Sequence, residues 1–257
     1  GVTWQRDASL SKGATYKFIS IGAEDLSGTH TESDELTASD ITIEDGIATP
    51  AVVGIRRFVS DEGLQDAIID QETIFNDMAE KVRNRINSDV CALASSAATA
   101  TNKTGQELTL DNFDAAKVAF LALEPGRARN VAILSHNQVA HLQKAIRQSG
   151  NGGLIQGAGL DVFSGRVNSS YQGNWAGFEI WTGPMPDDGA SDTAGMMVGC
   201  DAPGDKSGLG LAVWWSPRPG IQRNEARVGW DFVVTARYGV CITADHMVHG
   251  IVTKKAF

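Results

Sequence analysis

Gly199-Cys200-Asp201-Ala202-Pro203-Gly204-Asp205-Lys206-Ser207 comes within one residue of a phosphate-binding loop. Such a loop needs glycine directly before Lys-Ser, so that backbone amides can cradle the anion. Asp205 stands there instead and puts a carboxylate where phosphate would sit. The following Leu209 to Trp215 has strand composition, whereas phosphate is held at the N-terminus of a helix. A surface turn is expected. Gly157-Ala158-Gly159-Leu160 opens like a dinucleotide fingerprint but lacks the third glycine and a preceding strand. His136 and His141 are five apart and do not share a helix face well, while His246 and His249, three apart, have the spacing of a ligand pair. No cysteine or acidic cluster completes a metal site around them, so packed or solvated histidines are expected. Neither a Gly-x-Ser-x-Gly elbow nor a metalloprotease helix motif is present. No catalytic, cofactor or metal-binding residue is therefore assigned, and the expectation is a protein that is not an enzyme.

Composition narrows the class further. The chain has 257 residues, 42% hydrophobic and 21% charged, enough for one large or two modest domains. Its net charge of -9 argues against a domain built around a broad basic face for nucleic acid. Cys91, Cys200 and Cys241 are an odd number without paired spacing, which fits buried thiols rather than a disulfide framework. No apolar run approaches the roughly 20 residues that span a bilayer, and no basic and apolar leader opens the chain. The first residue is Gly1, which fits a matured or a shortened chain equally.

Charge is distributed unevenly. Between Lys17 and Arg56 there is no Lys or Arg, yet this stretch holds Glu24, Asp25, Glu32, Asp34, Glu35, Asp40, Glu44 and Asp45. Its apolar residues are scattered, so it cannot build a core of its own. Tyr16 to Ile21, Ile41 to Ile43 and Ala51 to Ile55 have strand composition, which predicts a long hairpin arm with neither face fully buried. From Asp61 the pattern becomes helical, with Phe75, Met78, Val82, Ile86, Val90 and Leu93 on one face. An unbroken helix from Asp61 to Ser96 would be a rod of about 50 Å.

A second helix is expected from Thr109 or Asp111 to a turn at Pro125-Gly126. Val131 to Leu134 reads as a buried strand, and Ser135 with Gln138 as a capping box that opens a third helix. Further strands are expected at Met196 to Val198 and Leu209 to Trp215. Val228, Trp230, Phe232, Val234, Ala236, Tyr238, Val240, Ile242 and Ala244 alternate with wetter residues, predicting one long strand that Gly239 bends. An acidic arm on a helical base makes most sense in an assembly subunit. Its acceptors on a neighbouring copy would be Arg56 and Arg57, Arg83 and Arg85, or Arg127 and Arg129.

The order of these elements resembles that of a known family. An acidic hairpin arm leads to a spine helix, then Leu108-Thr109-Leu110-Asp111-Asn112-Phe113, Pro125-Gly126 and the strand-cap-helix Val131 to Gln138. After a Gly-rich stretch come Gly177-Phe178-Glu179-Ile180-Trp181, Pro184 and Pro186, Ile221 to Arg227, and Tyr238-Gly239-Val240. In this order the chain resembles the major capsid proteins of tailed bacteriophages, with the Hong Kong 97-type capsid fold. The resemblance implies an α+β chain with an N-terminal arm (1–12), an extended loop (13–59), a peripheral domain with the spine helix (60–149), an axial domain (150–225) and a terminal strand region returning to the peripheral domain (226–257). It also implies icosahedral shells of hexamers and pentamers around double-stranded DNA held non-specifically, located in the virion and assembled in the host cytoplasm. Portal, scaffolding and cement proteins would be further partners, with no membrane. Lys12 and Lys17 lie at the loop base, so the Lys–Asn crosslink of some members is not carried over. An encapsulin-like compartment shell, or a soluble β-rich enzyme or carbohydrate-binding protein using the Trp cluster, stays open as an alternative.

Overall fold

The computed structural model describes residues 2–9, 15–21, 43–66, 70–123, 129–148, 171–189, 191–200 and 206–256. The chain opens in extended form with β1 (Thr3–Asp7), β2 (Tyr16–Ile21), β3 (Ile43–Ala48) and β4 (Ala51–Ser60). Then come α1 (Asp61–Asp66), α2 (Gln71–Ala92), β5 (Ala100–Lys103), α3 (Leu110–Leu121), β6 (Arg129–Leu134) and α4 (His136–Gln148). Seven strands complete it: β7 (Tyr171–Trp175), β8 (Phe178–Thr182), β9 (Asp187–Asp188), β10 (Asp192–Cys200), β11 (Leu209–Asn224), β12 (Gly229–Ile242) and β13 (Val248–Lys254). The class is α+β.

The expected single rod is two helices. Asp70 is extended (φ −76°, ψ 165°), and its carboxylate accepts from the Thr73 amide at 2.7 Å. An Asp in this position satisfies a free N–H at a helix start, so α2 begins afresh at Gln71. Its 22 residues span about 33 Å, not 50. The other caps follow the sequence. Thr109 accepts from the Asn112 amide at 3.2 Å and starts α3. Ser135 and Gln138 cap each other at 3.0 and 3.1 Å, and the buried Gln138 amide also donates to Thr253 Oγ1 at 2.9 Å. That one side chain fastens α4 to β13.

Two large sheets organise the chain. The long sheet has strand order β1-β11-β12-β4. The broad sheet has order β5-β13-β10-β6-β8-β7, with β9 added against β10. Covalent order does not follow these sheets. β11, within the segment expected to be axial, bonds to β1 and β12, while β13, in the terminal segment, lies in the broad sheet beside β5 and β10. The broad sheet is covered on both faces. Phe113 and Phe120 of α3 and Leu142 of α4 pack on Phe178, Ile180, Met197 and Ile251. Val90 and Cys91 of α2, with Ala94, pack on Ile133, Met196, Val198 and Val252 from the other side. All nine residues of β10 are buried accordingly.

On the long sheet, Met78 and Val82 of α2 pack against Phe232, Val234, Ala236 and Tyr238. This is the alternation expected of β12, and each fully buried large side chain is worth about 1.5–3 kcal/mol. The pattern departs from expectation at both ends. Val228 lies outside the strand, in the turn after β11, exposed and with φ at 49°. Beyond Gly239 the buried residue becomes Cys241, while Val240 and Ile242 are half-buried. The cause is the hairpin β2–β3, whose base crosses the second face there. A Cβ on Gly46 would lie 2.3 Å from the Ile242 carbonyl, and one on Gly239 2.5 Å from that of Thr49. One face of the hairpin base buries Phe18 and Ala48, with Tyr16 half-buried beside them. Ile19 and Ile47 on its other face are 59% and 49% exposed.

Candidate assembly surfaces

The acids expected to mark the arm, Glu24, Asp25, Glu32, Asp34, Glu35 and Asp40, lie outside the described residues, as does Arg127. The described arginines expected to receive them do not form one patch. Arg56, on the face of the long sheet away from α2, bonds Asp231, which also accepts from Asn224 at 2.8 Å. These donors hold the Asp231 carboxyl below the usual carboxylate range. Arg57 pairs at 2.7 Å with Asp77 of α2, and Arg85 at 2.9 Å with Asp89, which also accepts from the Tyr238 hydroxyl. Arg129 grips Glu179 with two bonds across β6 and β8 and pulls that carboxyl down. Arg83 alone of this described set is exposed with no carboxylate beside it among the described residues.

A basic cluster that the sequence reading did not single out lies on the long sheet. β1 carries Arg6 over the Trp4 ring at 5.1 Å. Beside it on β11 and β12, Arg218 and Arg237 approach the Trp215 ring to 5.5 and 5.3 Å, and Arg237 is also 5.7 Å from Trp214. At such distances the ring quadrupole attracts the guanidinium charge. None of the three arginines has a carboxylate partner among the described residues. Nearby, the indole N–H groups of Trp4 and Trp214 are buried with no acceptor among them. Strand alternation could not have revealed the cluster, because the β11–β12 register shifts between Val213 and Trp215 and again before Arg218.

The motifs suggestive of chemistry resolve into structure. Cys200 and Ser207, which flank the middle of the phosphate-loop mimic, form an antiparallel bridge, and residues 201–205 between them lie outside the described set. The dinucleotide-like Gly157–Leu160 also lies outside it. His249 is buried between Thr99 Oγ1 at 3.0 Å and Thr101 Oγ1 at 2.8 Å, and burial lowers its pKa. Burial pushes the thiols of Cys91 and Cys241 up to about 11 and about 12, which suppresses the reactive thiolate near neutrality. Among the described residues no group of His, Cys, Asp and Glu could hold a metal, and no helix is long and apolar enough to cross a membrane.

No protein-family model and no curated protein matches the sequence. Solved structures do match the fold. The head structure of Helicobacter pylori bacteriophage KHP40 is similar over 100% of this chain and 88% of its own, with TM-score 0.67 at 12% identity. The capsid of cyanophage Pam1 matches over 99% and 89%, with TM-score 0.67 at 12% identity. A Mycobacterium phage Che8 structure matches over 94% and 85%, with TM-score 0.64 at 14% identity. The described hairpin base, helices and both sheets together have the fold of phage capsid proteins.

Proposed function

We propose that the chain is a phage major capsid protein that self-assembles into an icosahedral shell of hexamers and pentamers. The observation that carries this reading is the likeness of nearly the whole chain, both sheets included, to capsid structures. The enclosed polymer would be double-stranded DNA, held by confinement and counter-ions, since a net charge of -9 disfavours tight contacts with phosphate. Its place would be the virion, with assembly in the host cytoplasm and with portal, scaffolding and cement proteins as partners. The long sheet with α2 would form the peripheral unit and the broad sheet the axial one. The acids Glu24 to Asp40 would dock on a neighbouring copy.

Electron microscopy of the purified protein tests this directly. Closed shells or ring-shaped capsomers are the expected outcome. A monodisperse monomer at high concentration, across salt and pH, would overturn it. So would nanomolar, sequence-selective DNA binding by the isolated chain, for the second half of the reading.

A further inference from the structure

We propose that Asp188, followed by Gly189 in the turn after β9, is a site of spontaneous backbone isomerisation to isoaspartate; the inference goes beyond the assembly reading and is tested without shells. The sequence holds two Asp-Gly pairs, Asp45-Gly46 and Asp188-Gly189. A glycine has no Cβ to hinder its amide, which can swing onto the preceding carboxyl. The fold treats the two pairs differently. Asp45 and Gly46 lie inside β3, which is paired along its length with β2, and a Cβ on Gly46 would fall 2.3 Å from the Ile242 carbonyl oxygen and 2.8 Å from the Thr243 Cα. That peptide unit is fixed in extended form with no room to turn. Asp188 is the last residue of the two-residue β9, at the last pair with β10 before the turn. Asp188 and Gly189 are both exposed, and no ion pair or hydrogen bond holds the Asp188 carboxylate among the described residues. Gly189 stands at φ 78°, and a Cβ there would meet no described atom within 4 Å.

In the first step the Gly189 nitrogen attacks Cγ of the protonated Asp188 carboxyl. A C–N bond forms, and the carboxyl hydroxyl leaves with the amide hydrogen as water, closing a five-membered imide. Water then adds to the imide carbon that was the Asp188 main-chain carbonyl. Its bond to nitrogen breaks, the nitrogen takes back a proton, and the chain now runs through Cγ with a free carboxylate on Cα. Mass is unchanged, and water is the only co-reactant. The backbone gains one methylene at the end of β9, which disrupts a ladder much as an inserted residue does. Asp188 would lose its place opposite Asp192, and Asp187 would be drawn off Lys255, with which it pairs at 2.6 Å. The same turn holds Lys255 a second time, since the Ser191 carbonyl accepts from its amide at 2.7 Å. Isomerisation should therefore loosen the fastening of the chain after β13. It should leave β10 in place, because all nine of its residues are buried.

The test ages the full chain, warm and near neutral pH, and reads its peptides by mass spectrometry with electron-driven fragmentation, which separates aspartate from isoaspartate. Isoaspartate is expected at 188. At 45 it should form at least about tenfold more slowly, because β3 must open locally before the Gly46 amide can turn. In denaturant the two sites should react at similar rates, which assigns the difference to the fold. Asp188→Glu keeps the charge but cannot close the five-membered ring, and should abolish the signal at 188. Asn151-Gly152 can also yield isoaspartate, but with loss of ammonia and a change of mass, on a separate peptide. Hydrogen exchange of the aged chain should rise at Asp188 and Lys255 and stay unchanged at Phe178. No isoaspartate at 188, equal rates at 188 and 45 in the folded chain, or a difference that persists in denaturant would each overturn the inference. Unchanged exchange at Lys255 in the isomerised chain would overturn the loosening assigned to it.

Discussion

The broad sheet and the long sheet are built from similar strands, yet one is closed and the other half-open. β10 has no exposed residue, because α3 and α4 cover one side and the end of α2 the other. On the long sheet, α2 covers one side and, among the described residues, the hairpin base reaches the second. Val52 on its outermost strand is 62% exposed, and Arg218 is exposed too. A sheet needs a layer on each apolar face. The broad sheet finds both in its own chain, whereas the second face of the long sheet carries aromatic and cationic side chains that the described residues cover only in part.

Substitution should separate the two regions. The largest effect is expected from Phe178→Ala. Its ring packs edge-on against Phe113 at 6.0 Å and Phe120 at 5.6 Å in the closed core. Loss of about 3–5 kcal/mol in urea unfolding is expected. Acid comes next, acting on the broad sheet first. His249 is held neutral by burial, so its folded pKa lies below the unfolded value of 6.5, and stability falls as pH drops through that range. Arg129 holds the Glu179 pKa below 4.5, so its contribution is present above that value and is lost as pH falls further. His249→Gln should flatten the upper part of the acid limb and Glu179→Gln the lower part, as read from unfolding curves at stepped pH.

Smaller effects should sit on the long sheet. Val228, a β-branched residue at φ 49°, is strained in its exposed turn. Val228→Gly should stabilise the fold by about 0.5–1 kcal/mol, seen as a raised thermal midpoint. Arg218→Ala should change stability by about 0.5 kcal/mol or less while reducing assembly followed by light scattering. If Arg218→Ala destabilised the isolated chain as much as Phe178→Ala, the contrast between the sheets would be wrong.

Local features were legible because they depend on neighbours in sequence. Thr109 starting α3 and the Ser135–Gln138 box rest on contacts three residues apart, while β6 and the Phe232–Tyr238 alternation show in the apolar pattern of a single strand. The break at Asp70 was missed because a helical apolar period runs through it, while the cap turns on a single carboxylate. The acceptor arginines proposed from charge alone were mostly satisfied within the chain, since pairing of Arg56 with Asp231 or Arg129 with Glu179 depends on strand register. The family order of elements, the acidity of residues 22–42 and the absence of a recognisable catalytic motif came from the sequence alone. Tertiary structure decided which sheet closes on itself and where Arg6, Arg218 and Arg237 meet tryptophan. Those positions are set by a parallel pairing of β1 with β11 and by two register shifts against β12. Such shifts exchange the faces of a strand, and no spacing in the chain records them.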